Sequence, residues 1–360
     1  MKKILLVDKM YPLNTRNERL IMTLRKKFKV NFIAWDRESN CKESIEDGYI
    51  FSSFEGYGNK IKKIIGMRKY FKFLKEKILE NKPDILICSH WDMLLLCKLM
   101  KYKGKILYEN LDLPTSKNKI ILFILLKLEK ILVKNIDGIL FASRFFVKLY
   151  DEVKCPKLLI ENLPLKKITK KIEIKKENPK NIRISFIGSL RYFDDMKKLL
   201  EAIQKIENVE VYLIGKGAEN EKFKKFIINK KLKRVFMMGD YNYEEIARYY
   251  QISDFIWAVY PANDYNVKYA ISNKFHESII FEKICFFSKN TLLGEYVDKN
   301  KIGISINSSN KESIEKTILN ILNHPEKIVE ITENIKKYKQ NKILYWEENE
   351  ENLIKFIEKL

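Results

Sequence analysis

Three polar residues stand together in the stretch YNVKYAISNKFHESIIFEK, Tyr265 to Lys283: Asn273, Lys274 and, three positions on, Glu277. The stretch follows an apolar strand-like run and leads into an amphipathic helix. That puts Asn273 near a helix N-cap, Lys274 in the first turn and Glu277 one turn on, with positions 274 and 277 on one face. A carboxylate so placed can take two hydrogen bonds from a ribose diol, and an amide-rich helix start beside a lysine suits a pyrophosphate. The plainer reading is a capped helix with one i,i+3 ion pair, worth about 0.2–0.5 kcal/mol. Taken alone, the stretch supports no more than that.

Three turns upstream are of a similar kind. FIGSLRYFDD ends a strand on Gly188, where backbone can approach a ligand closely, and Arg191 just beyond can grip a diphosphate bidentately. A surface arginine after a tight turn is the alternative. LIGKGAEN sets Gly215 and Gly217 at a helix start whose amides can face phosphate, although a third glycine is absent and many α/β turns look alike. MMGDYNYEEI offers Gly239, Asp240 and Tyr241 to edge a nucleobase, with Tyr243 to Tyr250 read as ordinary helix packing.

The elements that must carry these turns are legible along the chain. Candidate strands run over Lys3–Asp8, Lys29–Trp35, Asp84–His90, Lys105–Leu111, Gly138–Ser143 and Lys157–Leu163, with helix-period segments between most of them. After a lysine-rich stretch bounded by prolines, the pattern restarts over Ile182–Gly188, Val209–Gly215, Arg234–Gly239, Asp254–Tyr260, Ile284–Ser288 and Gly303–Asn307. Near-continuous Ile/Leu/Val strands separated by helices predict parallel sheets covered on both faces. The expected organisation is two doubly wound domains, over 1–163 and 182–342, joined by a linker at 164–181. Ligands in such sheets lie beyond the carboxyl ends of the strands, which directs attention to the strand-to-helix turns and to a cleft between the domains.

A chain of 360 residues exceeds one ordinary core, and 46% apolar with 32% charged residues argues against extended disorder. Lys and Arg total 69 against 47 Asp and Glu, a formal net charge of +22. The excess is mostly lysine and spread throughout, which fits a compositional bias with solvated faces as well as an anion-attracting surface. Five scattered cysteines without a Cys-x-x-Cys pair suggest reduced core residues. Three histidines, His90, His276 and His324, lack zinc-ligand spacing, so no metal is expected. The longest apolar run, Ile120 to Leu126, is far short of the ~20 residues of a spanning helix. The amino terminus does not read as a signal peptide.

The order of these segments resembles the nucleotide-sugar-binding domain of GT-B glycosyltransferases, specifically family 4. FIGSL, IGKGA, MGDYNYEEI, SDFIWAVYP and ISNKFHES follow one another as that family's turns and helices do. The tail YWEENEENLIKFIEKL, within 343–360, is similar to the helix that crosses back to the first domain. In the first half, YPLNTRNERLIMTLRKKFKVNFIAWDR, ILICSHWDMLLLCKLM, ILYENLDLP and LIENLPL resemble the family's acceptor-side domain. The departures are specific. Tyr269 stands where a sugar-contacting carboxylate is expected eight residues before Glu277, and YPLNTRNE replaces the glycine-rich first loop, with Arg16 as its candidate substitute. The Arg-then-Lys pair falls on Ser189 and Asp194, leaving Arg191 as the cation. The His after the LY strand reads Leu111, next to Asp112. The Gly-Lys-Pro after the glutamate helix reads Glu282-Lys283-Ile284.

The resemblance implies a GT-B fold and transfer of a hexose, with retention and no required cofactor, from a UDP- or GDP-sugar. The acceptor would be a lipid-linked or growing surface polysaccharide, such as capsule or lipopolysaccharide, at the inner face of a bacterial membrane. Arg191, Lys274 and Glu277 are the catalytic candidates, and Gly188, Gly215, Gly217, Gly239, Asp240, Tyr241 and Asn273 complete the donor site. Arg16, His90 and Asp112 are assigned to the acceptor side. Two basic amphipathic segments, 58–82 and 116–135, are candidates for contact with anionic membrane, or are sheet-covering helices with lysine-rich faces. A sugar-nucleotide 2-epimerase shares the architecture and stays the second reading. A non-enzymatic basic module is the third, without the aromatic-interleaved motifs of nucleic-acid readers.

Overall fold

The computed structural model describes residues 1–37, 47–53, 60–170 and 180–360. The chain divides into two compact units, Met1–Asn162 with Asn349–Leu360, and Leu163–Glu348.

The first unit opens β1 (Lys3–Val7), α1 (Thr15–Leu24), β2 (Lys29–Asp36), β3 (Gly48–Ser52) and α2 (Lys60–Asn81). It continues β4 (Ile85–Ser89), α3 (Trp91–Leu99), β5 (Lys105–Asn110), α4 (Lys119–Leu132), β6 (Gly138–Phe141) and β7 (Lys157–Leu159). Among the described residues its sheet has seven strands in the order β3-β2-β1-β4-β5-β6-β7, and every pairing is parallel. β1 and β4 are buried almost end to end, as strands covered on both faces must be. β3 is the strand that the pattern did not announce. It is a five-residue edge strand with half-exposed residues, so no continuous apolar run marks it.

The second unit runs β8 (Ile182–Ile187), α5 (Phe193–Ala202), β9 (Val209–Ile214), α6 (Asn220–Asn229), β10 (Val235–Gly239), α7 (Ile246–Ile252) and β11 (Phe255–Ala258). Then come α8 (Tyr265–Tyr269), α9 (Asn273–Ile280), β12 (Ile284–Ser288), α10 (Leu292–Asn300), β13 (Ile304–Ile306), α11 (Lys311–Leu322) and α12 (Pro325–Gln340). Among the described residues six parallel strands take the order β10-β9-β8-β11-β12-β13. The last helix, α13 (Glu350–Lys359), belongs to the first unit, where it packs on α1 and buries Leu353 and Ile357.

The segment 164–181, expected as a linker with little to bury, begins with a short turn at Lys166–Thr169 that buries Ile168 within the second unit and packs near α7. Residues 171–179 of that segment lie outside the described residues, as do Cys41 and positions 58–59 of the first candidate membrane segment. In both sheets the strand order reverses once, between β1 and β4 and between β8 and β11, and the carboxyl ends flanking such a reversal are where the fold leaves room for a ligand.

Candidate functional site

In the second unit the turns singled out from the sequence come together at the reversal. Gly188 ends β8 with φ +140°, and a Cβ built there would meet Lys274 Nζ at 3.2 Å. Gly215 ends β9 with φ +124°, and its Cβ would lie 2.2 Å from the Gly188 carbonyl oxygen. Both positions thus need glycine for backbone conformation and close approach. Gly217 presses against the Leu190 backbone, and the Gly239 carbonyl accepts from the Gly215 N–H at 2.7 Å. The three strand ends therefore form one backbone ledge.

α9 supplies the polar groups above it. Ser272, rather than Asn273, is the N-cap, accepting from Lys274 N at 3.4 Å; Asn273 is the first helical residue and half-buried. A short helix, α8, stands between the β11 strand and α9, where the sequence suggested a direct hand-over. From Lys274 onward α9 is buried on all sides, with Lys274 at 7% and Glu277 at 3% exposure. Charged side chains this buried are uncommon unless paired. The i,i+3 ion pair of the plainer reading does not form. Lys274 Nζ instead donates to the Tyr260 hydroxyl at 2.9 Å and lies 4.4 Å from the centroid of the Phe186 ring. Glu277 accepts from Tyr243 OH at 2.8 Å and from Tyr250 OH at 2.7 Å, one tyrosine on each carboxylate oxygen. A carboxylate has about four lone-pair sites, so Glu277 keeps acceptor capacity beyond these two bonds.

The remaining predicted groups flank this pair. Arg191 is exposed, its guanidinium 5.2 Å from the Tyr192 ring, and its charge reaches Tyr260. Burial pushes the Tyr260 phenol up, but the Lys274 ammonium and its hydrogen bond, Ser272 and Arg191 together bring it below its ordinary value. Tyr241 is half-buried and edge-on to Tyr249 at 5.3 Å; burial and then the Glu277 charge raise its phenol. The Gly239 turn therefore faces Glu277. Asp240 is exposed and holds the Tyr241 N–H at 3.1 Å. Tyr269 packs against Tyr265 on α8, with ring centroids 5.2 Å apart and planes inclined by 52°.

The first unit treats its three candidates differently. Arg16 is fully buried, donating from Nε to Glu109 and from Nη1 to the Ile160 carbonyl, both at 2.5 Å. As placed it ties α1 to the sheet and presents no surface to an acceptor, so the substitution for a glycine-rich loop has no geometric support. Asp112 is exposed. His90 lies between β4 and α3, buried at 4% exposure, with φ +72° and ψ 157°, a conformation costly for any side chain. Burial, with Lys9 nearby, holds its imidazole well below the usual range, so it is neutral. Sequence reasoning missed Asp8 beyond β1, which accepts from Lys9 N and Asn17 Nδ2, both at 2.6 Å. Its burial raises the carboxyl to about 6. An Asp directly after the buried run ILLV was the available signal. The partner tyrosines 243, 250 and 260 were also missed, because their spacing reads as packing.

Residues 166–339 match the family model described as glycosyl transferases group 1. Among solved structures, the chain is similar to sucrose-phosphate synthase from Thermosynechococcus elongatus, with a TM-score of 0.78, 14% identity, and 100% of this chain and 99% of that one covered. Anabaena HepE, in complex with UDP and glucose, gives 0.72 at 12% identity over 100% of both chains. A putative UDP-N-acetylglucosamine 2-epimerase from Listeria monocytogenes gives 0.67 at 14% identity, over 92% of this chain and 90% of that one. At these identities the likenesses show the fold, which transferases and epimerases share. No curated protein sequence gives a significant match.

Proposed function

We propose, from the match of residues 166–339 to the glycosyl transferases group 1 model and from the GT-B fold, that the chain is a hexosyltransferase using a UDP- or GDP-sugar. One observation carries the reading: the buried Lys274 ammonium pairs with no carboxylate among the described residues and is set beside the Gly188 turn at the strand-order reversal. A buried cation held only by a phenol and aromatic faces favours an anion that can bring its own charge. In this reading the donor diphosphate rests on the Gly188 turn and the start of α9, between Lys274 and Arg191. The ribose diol donates to Glu277, and the base lies along Gly239–Tyr241.

When the sugar leaves, negative charge grows on the diphosphate. Lys274, Arg191 and the first amides of α9 are preorganised to stabilise it without reorganising water. The reading calls for no metal, and retention of configuration comes with the family resemblance. The acceptor we assign is a lipid-linked or growing surface polysaccharide. α4 supports this with an exposed apolar face of Ile120, Ile121, Phe123, Ile124 and Ile131, flanked by exposed Lys119, Lys127 and Lys130. No helix among the described residues is long and apolar enough to cross a membrane. Contact with anionic lipid at the inner membrane face would therefore be peripheral.

The test is incubation of the purified protein with a panel of UDP- and GDP-hexoses, with and without a lipid-linked glycan, followed by NMR of the sugar products. Free nucleoside diphosphate that accumulates only with acceptor, and a product of retained anomeric configuration, are expected. A C2-epimerised nucleotide sugar formed without acceptor would establish the epimerase reading instead.

A further inference from the structure

Tyr260 has more fixed contacts than a packing residue needs. It lies two residues past β11, on the reversal itself. Its backbone N–H donates to Ser288 Oγ at 2.7 Å, and that same hydroxyl donates to the Tyr260 carbonyl at 2.6 Å. The ring meets Phe186 and Tyr192 edge to face, with centroids 6.4 and 6.0 Å apart. The hydroxyl receives the Lys274 ammonium at 2.9 Å, and that ammonium also lies 5.6 Å from the Tyr260 ring centroid. With Phe186 on its other side and Gly188 beside it, Lys274 Nζ has one neutral oxygen partner and no carboxylate among the described residues.

We propose that Tyr260 is the positioning residue of the diphosphate site, holding the Lys274 ammonium over the Gly188 turn until an anion takes it over. A carboxylate in that place would neutralise the lysine and repel the ligand. An apolar residue would leave a buried ammonium to reach for another partner. A phenol satisfies one donor and leaves the charge intact, at the cost of a hydrogen bond that a diphosphate can replace with a charged one. The diphosphate arm of the inference rests on the nucleotide-sugar reading.

Tyr260→Phe retains the ring and removes only the oxygen. It is expected to keep the fold and to lower UDP affinity about tenfold, while leaving binding of uridine without phosphates unchanged. Ionisation of Tyr260 would lock Lys274 in an ion pair and place a second negative charge at the site. The charged and titratable groups facing it are Lys274 of α9, Arg191 and Tyr192 after β8 and Tyr241 after β10. UDP affinity of the wild type should therefore fall on the alkaline side, and this limb should be absent from Tyr260→Phe. A merely structural tyrosine would not move that profile. An independent readout needs no nucleotide: 13Cζ-tyrosine NMR titration of the whole protein. One resonance, missing in Tyr260→Phe, should titrate below the ordinary tyrosine range and move upward in Lys274→Met. A resonance that ignores Lys274→Met overturns the inference, as does UDP affinity that keeps both its magnitude and its alkaline limb in Tyr260→Phe. Should the wild type bind no nucleoside diphosphate, the functional reading fails and the NMR arm still decides the Lys274–Tyr260 linkage.

Discussion

Glu277 is satisfied by two tyrosine hydroxyls of unequal burial, Tyr250 fully enclosed and Tyr243 half-buried. Glu277→Ala strands the Tyr250 hydroxyl in the core and is expected to cost about 1–3 kcal/mol in denaturant unfolding. Glu277→Gln preserves shape and one accepting oxygen, and its amide N–H can donate to the other tyrosine's hydroxyl oxygen, so it should unfold near the wild type and lose nucleotide affinity selectively. Equal effects of the two on stability would assign Glu277 to the scaffold. The spacing of Asn273, Lys274 and Glu277 was legible from the sequence. Their partners were not, since a hydroxyl's target depends on which helix a tertiary contact brings beside it. Glu129 makes the same point in the first unit, where Tyr108 and Tyr150 donate to one carboxylate oxygen at 2.6 and 2.8 Å. Burial outweighs these bonds and raises its carboxyl to about 7. The folded state thus keeps a proton that the unfolded chain, near 4.5, has lost, and stability is full below that value and falls as pH rises toward about 7. Glu129→Gln should remove this slope and gain about 1–3 kcal/mol at pH 8, measured by urea unfolding across pH.

At the level of elements, α4 and α13 carry opposite expectations. α13 buries Leu353 and Ile357 in the first unit despite lying at the far end of the chain. Leu353→Ala should destabilise that unit by about 2–5 kcal/mol, read as a lowered first transition in calorimetry. Phe123 and Ile124 of α4 are exposed, so Phe123→Ser and Ile124→Ser should leave unfolding unchanged. Both should weaken sedimentation with vesicles containing anionic lipid, and salt should weaken it in the wild type. Loss of stability in the serine variants would mean that this face is covered. The buried parallel strands were legible because both of their faces demand apolar residues. β3 and α8 were not: a half-exposed edge strand and a single helical turn leave no periodic trace. The tail of the chain was readable as an amphipathic helix, but its destination came from resemblance, since periodicity names a face and not a partner.

For the molecule as a whole, two parallel sheets each reverse strand order once among the described residues, and the candidate donor-site residues of the second unit gather about its reversal. The net charge of +22 does not by itself select a ligand, because most of it is exposed lysine that salt screens. Lys274 is different in kind, being buried, and its contribution should resist salt far better than that of the surface lysines. The most direct test is calorimetric titration of the intact protein with UDP and GDP, in the wild type and in Lys274→Ala. One nucleoside diphosphate should bind per chain, with affinity falling at least about tenfold in the variant. Absence of binding by either nucleotide, or an unchanged affinity in Lys274→Ala, would contradict the assignment of a nucleotide-sugar site to this helix start.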